Sequence, residues 1–362
     1  MQFTIARDDI TGITADCYAV CVTAPPKGTK ASHGALGRAD GGQALDQVLD
    51  GLLSTVIRQE EFRGELGAYR LVPTAGRLPA HTVALIGAGP AKAATLETAR
   101  RLGATLAKAA EQCKARRVAG VLQAEAIGGA KPAERAKALL EGVLLGGYRF
   151  DHYKAKEDRK PPPLAEIILV ATKERAAIEA AMAEGRLIGE AVNFARDLAN
   201  QPSNVCTPHY LAEQARAIAR QGKLACTVFD AKEISAHRMH LLTAVAQGAP
   251  NPPVFIHLRY TPPKKAKAHI ALVGKGVTFD TGGVDLKTSK HMEHMKNDMA
   301  GAASVLATMK VVSALRPDLL IDAFVPCTEN VIDGKSHRPG DIVAARSGKT
   351  VELVNLDAEG RL

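Results

Sequence analysis

The chain has 362 residues, too many for one ordinary core, and its 46% hydrophobic and 23% charged content excludes a disordered or fibrous protein. The net charge of +9 permits attraction to anions, but Lys and Arg are spread along the chain, Trp is absent and aromatics reach only 4%, which argues against a base-stacking nucleic-acid surface.

In chain order, Asp8, Asp9 and Asp16 occupy the stretch where a signal peptide is apolar, and no apolar run approaches the length of a membrane span. The six cysteines (Cys17, Cys21, Cys113, Cys206, Cys226, Cys327) contain no CxxC pair and read as reduced thiols. The expectation is a cytoplasmic chain with no membrane partner. "CYAVCV" (17–22) and "TVALIG" (82–87) predict buried strands, and "TLETARRLGATLAKAAEQC" (95–113) an amphipathic helix, the rhythm of an α/β layer. "GAGPAK", after the second strand, lacks the third glycine of a dinucleotide fingerprint and carries Pro90, so no nucleotide is assigned to it.

The charged, proline-ended "DHYKAKEDRKPPP" (151–163) predicts an exposed connector. "AEIILVAT" is then a strand, and a long helical pattern runs from Lys173 to about Ala199, stopped by "NQPSN". Beyond it, a helix is predicted over 208–221, strands at "VFIHLRY", "AHIALVG" and "LLIDAFVPC", and a helix from about Met292 to Leu315. The predicted fold is α/β with two domains, each a mixed β-sheet with helices on both faces, joined by a long helix. Residues 1–165 form the N-terminal domain, 166–200 the linking strand and interdomain helix, and 201–362 the second domain.

The chemistry gathers in the second domain. "HIALVGKGVTFDTGG" (269–283) is a strand broken at Gly274 that presents Lys275 and Asp280 at its C-terminal end, where open α/β sheets bind ligands; Lys287 follows. Asp298 lies among the small residues of the predicted 292–315 helix, where a carboxylate is costly unless paired or bound to a metal. The closing "TVELVNLDAEGRL" (350–362) reads as an extended run, so that Asp357 and Glu359 project from one face, with Arg361 behind them. Four carboxylates converging with two lysines and an arginine repel unless multivalent cations hold them, which points to a two-metal hydrolase. His291 and His294 share a helical face with Asp298, but neither HExxH nor HxxEH is present, which weighs against a metal role. "RSGKT" (346–350) has Val343 where a phosphate loop needs glycine, and no GxSxG elbow or Cys–His pair supplies a nucleophile.

At these residues the sequence resembles a known family. "NLDAEGRL", "VGKGVTFDTGGVDLK", "MKNDMAGAA", "RPGDIV" and "ARDLANQPSNVCTP" are similar, in the same order, to blocks of the leucyl aminopeptidase family (peptidase family M17, the cytosol aminopeptidases), and "GALGRADGGQALDQVL" more loosely so. The resemblance implies a metal-dependent aminopeptidase that removes leucine and other neutral residues from peptides with a free N-terminus. It implies that Lys275, Asp280, Asp298 and Glu359 ligate one metal, and Asp280, Asp357 and Glu359 the other, with a water between them. The metals would be Mn²⁺ or Zn²⁺, with Mg²⁺ also acceptable to an oxygen-rich shell. Lys287 would polarise the scissile carbonyl and steady the oxyanion, and Arg361 would hold a bicarbonate acting as general base. A homohexamer is implied as well, and for some relatives a DNA-binding regulatory role, supported here only by the charge. Leu356 stands where the family usually has threonine, and "KSH" (335–337) replaces a small-residue stretch. Family chains continue well beyond this point, so the expectation is a catalytic domain incomplete at its C-terminus, a truncated form inactive and poorly soluble by itself.

Overall fold

Strands that are apolar at every position need cover on both faces, and the first unit supplies it. A computed structural model describes residues 1–7, 9–26, 28, 32–36, 41–120, 129–159, 164–171 and 173–361. Residues 160–163 of the predicted connector, and residues 37–40 of the N-terminal family block, lie outside the described residues.

Two units are present, Met1–Glu190 and Ala191–Leu362. The first opens with strands β1 (Gln2–Ala6), β2 (Cys17–Ala24) and β3 (Ala35–Leu36), then helices α1 (Gly42–Val48) and α2 (Leu52–Gln59). Strands β4 (Tyr69–Pro73) and β5 (Thr82–Pro90) lead to α3 (Leu96–Gln112), β6 (Arg117–Gly120), α4 (Pro132–Gly146) and β7 (Glu166–Val170). The sheet runs β1-β7-β6-β2-β5-β4, parallel except for β4 at one edge and β3, which pairs antiparallel with β2. Alternate residues of the predicted strands enter two cores. Cys17, Ala19 and Cys21 pack beneath Leu102, Leu106 and Val143 of α3 and α4, whereas Tyr18, Val20 and Val22 pack against Leu45 of α1, Leu49 just after it and Leu53 of α2. The long helix α5 (Arg175–Asn200) runs 26 residues, as the pattern from Lys173 predicts, and its chain crosses from the first unit into the second.

The second unit continues with α6 (Pro208–Gly222), β8 (Ala225–Phe229), α7 (Ala231–Ala236), α8 (His240–Val245) and β9 (Val254–Tyr260). Then come β10 (His269–Val273), β11 (Gly276–Asp280), α9 (Ser289–Met292), α10 (Ala300–Leu315), β12 (Leu320–Asn330) and the hairpin β13 (Ile342–Ala344) and β14 (Thr350–Glu352). Its sheet runs β10-β12-β9-β8, with β10 and β11 pairing in succession along β12, both parallel. Helices α6 and α10 cover one face over Ile256, Leu258, Ala323 and Val325, and the opposite face carries the aromatic row Phe229, Phe255 and Phe324.

Two sequence expectations fail here for local reasons. The helix expected from Met292 begins only at Ala300, because the N–H of Ala302, whose helical partner would be the Asp298 carbonyl, donates instead to the Lys275 carbonyl at 2.8 Å. Asp298 therefore sits in the turn before α10 and closes a single 3-10 turn over Met295–Asn297. Asp357 and Glu359 are not in a strand either: β14 ends at Glu352, and Glu359–Arg361 is a 3-10 turn. The backbone there is taken by side chains, with Leu356 N–H donating to Asp285 Oδ2 at 2.7 Å and Asp357 N–H to Asn355 Oδ1 at 2.9 Å, which leaves no ladder to extend.

Asp322, near the start of β12, is a buried carboxylate that the sequence reading passed over. Arg259 forks it, Nε at 2.7 Å and an Nη at 3.0 Å, and the imidazoles of His257 and His269 reach its two oxygens at 2.5 and 2.6 Å. Arg259 first, then the two histidines, hold its carboxyl well below the ordinary carboxylate range despite burial. A depressed carboxylate adds stability that is complete above its unfolded value of 3.8 and is lost as the pH falls below it. The urea midpoint of the second unit should therefore drop as the pH is lowered from 5 to 3, and Asp322→Asn should lower the midpoint at pH 5 and flatten that dependence.

In the first unit, α3 and α4 touch backbone to backbone: a Cβ added at Gly142 would lie 1.9 Å from the Arg100 carbonyl oxygen. Gly142→Ala should cost about 1–3 kcal/mol by overpacking, read as a lower denaturant midpoint with an unchanged slope.

Candidate metal centre

Strands β10 and β11 lie along one partner, interrupted at Gly274 and Lys275. The interruption is where α10 arrives. A Cβ at Gly274 would come within 2.7 Å of the Gly301 carbonyl oxygen, and one at Gly301 within 2.9 Å of Lys275 N, so glycine at both positions lets the helix start press on the strand break. Lys275 is thereby fixed through its backbone at the break between the two strands.

Asp280 ends β11 and is buried. After it the chain reverses through Gly282 and Gly283, both in the left-handed region (φ 85° and 62°), and the Gly282 N–H donates to Asp280 Oδ1 at 2.8 Å. The turn returns Lys287, whose Nζ lies 2.7 Å from Asp280 Oδ2 and also contacts Asp357. Lys275 Nζ lies 2.6 Å from Glu359 Oε1 and 2.8 Å from Asp298 Oδ2. The second contact is an ion pair, and Asp298 Oδ2 is buried with the Lys275 ammonium as its neighbour.

Six of the seven residues singled out in the sequence are thus drawn into one cluster: Lys275, Asp280, Lys287, Asp298, Asp357 and Glu359. Arg361 lies two residues after Glu359 on the same 3-10 turn, exposed and without an ion-pair partner among the described residues. His291 and His294 are exposed, and His291 meets the Thr288 hydroxyl.

Four carboxylates face two ammonium groups, which leaves negative charge uncompensated. Burial raises the Asp298 carboxyl above its ordinary value, and repulsion from Asp280 and Glu359 adds to that, against the pull of Lys275. Burial works against the Lys275 ammonium, but Asp298 and Glu359 outweigh it and raise its pKa. The donor set fits divalent cations. Carboxylate oxygens of Asp280, Asp357 and Glu359 lie within 4.8 Å of one another, and Asp298 stands beside the lysine that bridges to Glu359.

Sequence reasoning missed Asn330. It ends β12 fully buried, and the two hydrogens of its amide nitrogen are shared among three acceptors, on Asp280, Leu356 and Glu359. The polar "TEN" closing the apolar "LLIDAFVPC" strand, parallel to the strand that ends at Asp280, was the signal available. Of the stretch "KSH", Lys335 lines a cleft of about 630 Å³ with Phe279 and Glu329, while His337 is turned inward, and burial lowers its pKa.

Residues 193–362 match the family model described as the cytosol aminopeptidase family, catalytic domain, and residues 21–157 its N-terminal domain. The chain is 40% identical to a probable cytosol aminopeptidase of Persephonella marina over 88% of its own length and 64% of that protein's. It is also 40% identical to a probable cytosol aminopeptidase of Solibacter usitatus over 100% of its own length and 70% of the relative's. Among solved structures it resembles a mutant of tomato leucine aminopeptidase, with a TM-score of 0.84 at 31% identity, covering 100% of this chain and 69% of that one. The bottromycin maturation enzyme BotP in complex with Mn gives a TM-score of 0.77 at 34% identity, covering 96% and 67%. The chain therefore spans about two thirds of the length of the relatives it matches.

A cation that binds this cluster in the folded chain and not in the unfolded one stabilises the fold by mass action. Titration with Mn²⁺ should raise the melting temperature in a saturable way, reversed by chelator, and Asp280→Asn should abolish the rise. A melting temperature indifferent to Mn²⁺, Zn²⁺ and Mg²⁺ would remove the metal assignment.

Proposed function

The chain belongs to the cytosol aminopeptidase family, and from that premise we propose that it is a metal-dependent aminopeptidase removing leucine and other neutral residues from the free N-termini of peptides. The observation that carries this reading is the convergence of Asp280, Asp298, Asp357 and Glu359 on Lys275 and Lys287 past the end of a parallel strand pair. In this reading Lys275, Asp280, Asp298 and Glu359 hold one divalent cation and Asp280, Asp357 and Glu359 a second, Mn²⁺ or Zn²⁺ with Mg²⁺ as a further candidate. When bound, such cations supply Lewis-acid polarisation of the scissile carbonyl and an acidified water.

The chain's own residues have separate tasks. Asp298 and Glu359 favour the ammonium form of Lys275, which must release a proton to act as a ligand, so metal uptake is coupled to proton release. Lys287 is only 14% exposed and already lies among carboxylates, a point charge placed to steady the oxyanion as it develops on the substrate carbonyl. Arg361 cannot accept a proton, so its guanidinium serves by holding an anion; bicarbonate there would act as the base. A cytoplasmic homohexamer is the assembly this reading takes from the family.

The test is hydrolysis of Leu-p-nitroanilide by the purified full-length protein loaded with Mn²⁺. Activity should disappear with chelator and return with Mn²⁺. Changing a residue that only orients a metal ligand costs about 10- to 100-fold, so Asp298→Ala or Glu359→Ala, which delete a ligand, should cost more. Hydrolysis that persisted in the double variant would sink the site assignment.

A further inference from the structure

Asn330 lies at the meeting point of three chain segments. Its Nδ2 is 2.9 Å from Asp280 Oδ1, 3.0 Å from the Leu356 carbonyl oxygen and 3.2 Å from Glu359 Oε2. All three are acceptors, so the amide has one workable orientation, with its NH₂ turned toward them. The consequence falls on Oδ1, which is buried without a donor among the described residues and faces Gly283, where a Cβ would lie 2.8 Å away. An unsatisfied buried acceptor is a stability cost that a leucine of similar shape would avoid.

The pairing sorts the carboxylate oxygens. Asn330 takes Oδ1 of Asp280 and Oε2 of Glu359, while the other oxygens, Oδ2 and Oε1, face the positive charges of Lys287 and Lys275 at 2.7 and 2.6 Å. With two hydrogens for three acceptors, one N–H is shared, and the contact with the Leu356 carbonyl pins the peptide just before Asp357. We propose that Asn330 is a positioning residue of the metal centre: its amide anchors one oxygen of Asp280 and one of Glu359, so that the other oxygen of each is held toward a cation, and its bond to the Leu356 carbonyl sets Asp357. This rests on the metal-binding reading of the cluster.

The experiment is calorimetric titration of the metal-free protein with Mn²⁺, well below the melting temperature, for the wild type, Asn330→Ser and Asn330→Leu. Serine keeps one donor; leucine keeps the volume and none. Mn²⁺ binding should weaken about 10- to 100-fold in the leucine variant and by less in the serine variant. A merely structural role would lower the metal-free melting temperature and leave the Kd of the folded protein unchanged, so a leucine variant with wild-type Kd overturns the proposal. If that variant does not fold, the serine variant carries the test, and an unchanged Kd there overturns it equally. A wild-type chain that binds no Mn²⁺ overturns the metal reading itself, and the proposal with it.

Discussion

Asp280 and Glu359, both buried, are tied to the same amide of Asn330, and Asp298 and Asp357 complete a group of like charges that Lys275 and Lys287 only partly neutralise. At short range and with little water between them, such carboxylates repel strongly enough to oppose folding unless positive charge is added. The rest of the second unit serves to hold that unfavourable group together. Helices α6 and α10 bury one face of the sheet over Ile256, Leu258, Ala323 and Val325, and this apolar packing offsets the cost at the sheet's end. A cluster assembled against its own repulsion is also one that a divalent cation can bind without first reorganising the protein.

Small residues make the assembly possible. Gly274, Gly301, Gly282 and Gly283 stand where a side chain would meet backbone or the Asn330 oxygen, and each close approach brings a charged group into place. The first unit uses the same device for packing alone, with Gly103 and Gly142 letting α3 and α4 meet backbone to backbone. Glycine in a helix interior is a weakness in isolation; between two helices it becomes the condition for contact.

What was legible in the sequence followed from period and composition. "CYAVCV", "TVALIG" and the 95–113 helix are where their patterns put them, because strands buried on both faces and a helix buried on one leave direct traces. The acidic residues were legible as a group through the motifs carrying them, but their local geometry was not. Asp357 and Glu359 meet through a turn and a 3-10 segment, since side chains of Asp285, Asn355 and Asn330 compete for the backbone, and those partners lie as far as 71 residues away. Asp298 left the predicted helix because the Lys275 carbonyl took one N–H. Asp322 and Asn330 were missed for a related reason: each looks like a polar interruption of an apolar strand until its partners on other strands are known.

Leu356 shows how far backbone can replace side chain at such a site. Leucine buries its side chain with Ala244 and Leu353, away from polar partners. The turn is ordered nonetheless: the Leu356 N–H is fixed by Asp285 and its carbonyl by Asn330. Both bonds use atoms that every residue but proline has, so the position of Asp357 does not depend on the chemistry of the side chain before it. What the position does demand is shape and burial, because the apolar contact holds the turn against the hairpin residues Val343 and Val351 that pack on the same cluster. The backbone bonds order the turn, and the leucine side chain adds apolar packing that fastens it to the hairpin.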